Sequence, residues 1–143
     1  MKTEKYTQYS FILDRAARRV KQYAQASFTE KSFDITIDQW MVLKALYHED
    51  PMTHKDLAET TGKDQPTLTR ILDIIIKKKL AERVEHPHDR RCLFVQLTPT
   101  GEEKVKILSP EIATIRMKAW ENLSEEDFRN FTRILNTIYN NLS

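Results

Sequence analysis

The stretch "THKDLAETTGKDQPTLTRILDIIIKKK", Thr53 to Lys79, decides the fold. Thr53 has the side chain of a helix N-cap, and Asp56, three residues on, supplies the acid of a capping box in which Glu is the commoner choice. "HKDLAET" then reads as a short helix that stops at Gly62, one of only two glycines in 143 residues. A glycine just past a helix end takes the left-handed conformation that closes it. Asp64 is a second N-cap. Pro66 falls in the first turn of the next helix, where its missing N–H costs nothing. Leu68, Ile71, Leu72, Ile75 and Ile76 then recur at helical spacing to about Lys79. The stretch reads as helix, tight turn, helix.

Downstream, two apolar runs flank the charged tip His86-Pro87-His88-Asp89-Arg90-Arg91. They predict a hairpin with strands over 81–86 and 92–97. Thr98 caps another helix, with Pro99 at its first position and Glu102 in its first turn. That helical part runs to Leu123. Ser124 and Asp127 mark a last helix striped by Phe128, Phe131, Ile134 or Leu135, and Ile138. Upstream, residues 8–30 and 36–48 predict two more helices, the second broken at "HEDPM" because Pro51 disfavours helical geometry at Asp50. The predicted class is mostly α with a small β-hairpin wing. A winged helix-turn-helix over residues 35–98 is flanked by helical parts at 1–34 and 99–143.

Hydrophobic residues make up 40% and charged residues 31%, an ordinary globular balance. The longest apolar run is Trp40 to Leu43, too short to cross a membrane, and "MKTEKYTQYS" lacks the apolar stretch of a signal peptide. The single Cys92 closes no internal disulfide, so a reducing cytoplasmic setting is expected. Residues 53–98 hold nine basic and seven acidic side chains, so affinity for a polyanion must come from placed charges rather than bulk field.

The placed charges are in the right positions. The major groove of DNA admits one helix. The outward side of residues 64–79 offers Gln65, Thr67, Thr69 and Arg70 to base edges and phosphates. The hairpin tip, with Asp89, Arg90 and Arg91, then lies over the neighbouring minor groove, whose negative potential draws arginine. Asp89 accepts a charge-assisted hydrogen bond from Arg91 and holds it extended.

The segment "LTRILDIIIKKKLAERVEHPHDRRCLFVQLTPTG" resembles the MarR family of bacterial transcriptional regulators. The matching residues are Leu68-Thr69-Arg70, Leu80, Asp89 with Arg91, Leu97-Thr98 and Gly101, and the likeness extends over residues 36–103. Lys79 departs from it, standing where the family usually has glycine, so the helix is expected to end differently or in a strained cap. The resemblance implies a homodimer held by the first and last helices. It also implies binding to a pseudo-palindrome with half-site centres about one turn, or 34 Å, apart, and in many members ligand-controlled release. A pocket lined by Phe11, Phe33, Trp40 and Met41, taking a small aromatic anion, is the expectation here.

Plainer readings stand beside these. The tip by itself is an ordinary solvated turn. Arg70 has Asp64 and Asp73 as rival partners. Trp40 and Met41 fit a core, and Lys77-Lys78-Lys79 a solvated helix end. His86, His88 and Asp89 lack a fourth metal ligand nearby, so no metal or other cofactor is expected. Cys92 reads either as a thiol tuned by two arginines or as a plain strand residue. No nucleophile–base pair or glycine-rich phosphate loop points to an enzyme. A winged helix that binds protein instead of DNA remains the rival, and the retained Arg70, Asp89 and Arg91 speak against it.

Overall fold

A computed structural model describes residues 2–48, 50–86 and 88–143, without the side chains of His86, Asp89, Arg90 and Cys92. The chain is α1 (Lys2–Glu30), α2 (Ile37–Ala45), β1 (Met52–Thr53), α3 (His54–Thr61), α4 (Gln65–Lys77), β2 (Ala81–His86), β3 (Asp89–Leu97), α5 (Pro99–Met117), a 3-10 turn (Lys118–Trp120) and α6 (Glu125–Asn141).

Local chemistry sets most boundaries. Thr53 accepts from the Asp56 N–H, but Asp56 returns no bond, so only half of the expected box forms. Gly62 closes α3 at φ 68°. Asp64 accepts the Thr67 N–H at 2.8 Å and starts α4. Thr98 caps α5, and Ser124 with Asp127 builds a complete capping box on α6. At α2 the cap is Thr36, in a box with Gln39. The core lies where α2, α3, α4 and the start of α5 meet. Leu43, Leu57, Leu68, Leu72 and Val105 are fully buried there, each worth roughly 1.5–3 kcal/mol of burial.

Three elements depart from the sequence-based expectation. α1 begins at Lys2 rather than at residue 8, and everything from Lys2 to Arg19 is exposed. The wing has a third strand, in the order β1-β3-β2, with Met52 opposite Val95 and Thr53 opposite Phe94. β3 also starts earlier, at Asp89, because the β2–β3 register shifts between Glu85 and His86.

The lysine run is not simply solvated. Lys78 Nζ donates to the Asp34 carbonyl and to Gln39 Oε1, tying the end of α4 to the start of α2. Lys79 adopts φ 65°. Its N–H bonds the Ile76 carbonyl and the Leu80 N–H bonds that of Ile75, both at 2.9 Å. That is the Schellman closure normally built on glycine. Lys79→Gly relieves the left-handed strain while loosening the unfolded chain. It is expected to stabilise the protein by about 0.5–1 kcal/mol. A higher urea midpoint at unchanged m-value checks this, and a lower midpoint rejects it.

Candidate nucleic-acid interface

The end of α4 and the start of α5 form one joint. Thr98 Oγ1 donates to the Lys79 carbonyl at 2.7 Å and accepts the Gly101 N–H, while the Thr98 N–H bonds the Leu80 carbonyl. Lys79, Leu80, Thr98 and Gly101 thus fasten the root of the wing to both helices. Arg83 on β2 reaches Asp73 on α4 at 3.0 Å, a second tie between wing and helix.

α4 buries Leu68, Ile71, Leu72 and Ile75 and turns Gln65, Thr69 and Arg70 outward, with Thr67 half-buried between them. Arg70 donates to Thr67 Oγ1 at 3.3 Å and forms no direct salt bridge among the described residues, although its charge is felt by Asp64. Asp73 is taken by Arg83, and Asp64 by the α4 N-terminus, whose Thr67 N–H holds the Asp64 carboxyl below its usual range. The guanidinium therefore faces solvent. The same face includes a residue that the sequence reading missed. His54, the first residue of α3, lies 3.1 Å from Thr69 Oγ1. A helix-starting histidine carries no periodic signal, and only the crossing of α3 and α4 puts it there. On the wing, Arg91 is exposed. The side chains of His86, Asp89, Arg90 and Cys92 lie outside the described residues, so the expected Asp89–Arg91 bond does too.

Behind this face, Asp38 on α2 bridges Lys63, next to Gly62, at 2.7 Å and Lys21 on α1 at 2.9 Å. Burial pushes its carboxyl up, but the two ammonium groups outweigh this and leave it below the usual range. The bridge's contribution is present above the ordinary carboxylate pKa and lost as pH falls through the lowered one. α1 is thereby wired to the helix-turn-helix turn.

The four aromatic and thioether residues expected to share a pocket do not converge. Phe33 packs on Phe28 at 5.1 Å and lines a cleft of about 660 Å³ with Leu80, Pro99 and Lys104. Phe11 is 58% exposed on α1, with Arg15 over its ring. Trp40 is core, at 5% exposure, yet one edge joins Met41, Thr60 and Arg116 around a cavity of about 310 Å³. Met41 and Arg116 also line a larger apolar cavity of about 480 Å³ with Leu13, Val20, Trp120 and Phe131. Burial lowers the pKa of Arg116, which has no acidic partner among the described residues. The sequence reading passed over Arg116.

Known proteins share this arrangement. A MarR family model matches residues 33–91. MgrA, an HTH-type transcriptional regulator of Staphylococcus aureus, is 26% identical over 133 residues, 92% of this chain and 87% of MgrA. The structure of S. aureus MepR in complex with DNA superposes with a TM-score of 0.78 at 26% identity, over 93% of this chain and 97% of MepR. BpsR of Bordetella bronchiseptica, whose DNA binding is regulated by 6-hydroxynicotinic acid, superposes with a TM-score of 0.80 at 25% identity, over 91% of each chain. No helix among the described residues is long and apolar enough to cross a membrane. With its helix-turn-helix, three-stranded wing and these relatives, the chain is a DNA-binding transcriptional regulator of MarR type.

Proposed function

We propose that the protein is a ligand-responsive repressor that binds a pseudo-palindromic operator as a homodimer. α4 enters the major groove with Gln65, Thr67, Thr69 and Arg70, and the wing lays Arg90 and Arg91 along the adjacent minor groove. The observation that carries this reading is the exposed polar face of α4, with Arg70 in no direct salt bridge among the described residues. Dimerisation is supported by α6, which buries no residue in its own chain while leaving Phe131, Ile134 and Ile138 exposed. Residues 1–34 and 99–143 form that dimer-forming part. Effector control is supported by Arg116 beside Trp40 and Met41, a cation at an apolar wall that suits a small aromatic anion. The regulator BpsR answers to an aromatic acid of that kind.

The wing tests the reading. Arg91→Ala should weaken operator binding by about 1–3 kcal/mol and flatten the salt dependence by roughly one unit of slope per lost contact. Asp89→Ala removes a negative charge, so simple electrostatics favours tighter binding. Loss of the group that aims Arg91 favours weaker binding, and that is the expected sign. A gel-shift titration giving tighter binding for Asp89→Ala, at unchanged circular dichroism, would make the tip a solvated turn.

A further inference from the structure

Thr69 Oγ1 makes two polar contacts. It lies 2.9 Å from the Gln65 carbonyl oxygen and 3.1 Å from His54 Nε2. A hydroxyl has one proton and two lone pairs, and a carbonyl oxygen only accepts. Both contacts are hydrogen bonds under a single assignment: the Thr69 O–H donates to Gln65, and His54 donates its Nε2–H to Thr69. His54 is half-buried at the start of α3, on the element that crosses α4.

We propose that His54 is a positioning residue that sets the base preference of Thr69, and that Thr69 faces an A·T pair in the operator. The proposal rests on the reading of α4 as the recognition helix. With its proton committed to Gln65 and one lone pair to His54, Thr69 keeps one lone pair and its γ-methyl for DNA. It can accept but not donate. In the major groove adenine offers the N6 amine and thymine the C5 methyl, so one A·T pair meets both groups. Guanine offers only acceptors, O6 and N7, which oppose another acceptor. Cytosine offers an amine without the methyl. Without His54 the side chain keeps only the bond to Gln65, so it can rotate about χ1 and break that bond, which frees the hydroxyl to donate and makes guanine acceptable.

The experiment is sequence selection from a random duplex pool with the full chain, unmodified and as His54→Ala and His54→Gln. A glutamine amide still donates to Thr69. The unmodified protein and His54→Gln should select A·T at one symmetry-related position in each half-site. His54→Ala should keep the rest of the site and lose about fivefold to tenfold of preference at that position. The tautomer gives an independent readout, since ¹⁵N shifts of the imidazole should place the proton on Nε2. An unchanged preference in His54→Ala, an equal loss of affinity for all sequences, or a proton on Nδ1 with none on Nε2 each overturns the proposal. Arg70→Ala separates it from the reading beneath. If that variant binds the selected duplex undiminished, α4 is not the reader and both fall. If Arg70→Ala weakens binding while His54→Ala leaves the preference intact, only the role of His54 falls.

Discussion

Gly101→Ala is expected to destabilise the protein by about 3 kcal/mol, at the upper end for an overpacked site. The backbone of Gly101 is not left-handed, so the requirement is space rather than conformation. A Cβ there would stand 1.9 Å from the Leu80 carbonyl oxygen and 2.9 Å from its carbon. Those atoms are backbone, and the same carbonyl accepts the Thr98 N–H. Relief therefore means pulling α5 away from the end of α4 and opening the wing's root. Gly62 is the internal control. A Cβ there meets nothing within 4 Å, and φ is +68°. Gly62→Ala should cost only the left-handed penalty of about 1–2 kcal/mol. Urea unfolding of both variants is the measurement, and a Gly101→Ala loss smaller than that of Gly62→Ala contradicts the steric account.

Phe131→Asp combined with Leu135→Asp is expected to give a folded monomer whose operator affinity is about 10²–10⁴-fold weaker, because the second half-site is no longer tethered to the first. Phe131 packs edge-on against Trp120 at 5.1 Å and is otherwise exposed. Since α6 buries nothing of its own, two carboxylates on it leave the helix-turn-helix core untouched. Sedimentation and circular dichroism together decide. Unmodified protein that sediments as a monomer at micromolar concentration overturns the dimer, and a doubly substituted dimer overturns the assigned face.

Much of this fold is legible because its signals are local. Thr53, Asp64, Thr98 and Ser124 each start a helix by bonding an N–H three residues ahead, and Gly62 ends one, all within reach of a short window. The outward polar face of α4 follows from the same periodicity. Contacts made through space were not legible. β1 is two residues long, and its identity as a strand depends on Val95 and Phe94 arriving beside it. The exposed start of α1 has no apolar period to read. His54 joins Thr69 fifteen residues away, and Asp38 joins Lys63 and Lys21 on two other elements. The four residues that the resemblance suggested around a pocket divide for a related reason: Trp40 and Met41 stay together at one cavity, whereas Phe33 lines another cleft and Phe11 lies exposed on α1.

The cap of α4 has a consequence for how DNA can approach. A helix N-terminus is ordinarily a ready anion site, with amides pointing outward and the dipole's positive end behind them. This one is occupied. Pro66 has no N–H, the Thr67 N–H is held by the Asp64 carboxylate, and the Leu68 N–H bonds the Asp64 carbonyl, which leaves Gln65 as the one donor in the first turn. A phosphate arriving end-on meets a carboxylate instead of an amide nest, and like charges repel. A tip-first pose is thereby disfavoured, and a broadside one is the pose that the proposed groove contacts of Gln65, Thr67, Thr69 and Arg70 require. On the proposed reading of α4, Asp64 adds nothing to the attraction for DNA but disfavours wrong orientations during the encounter.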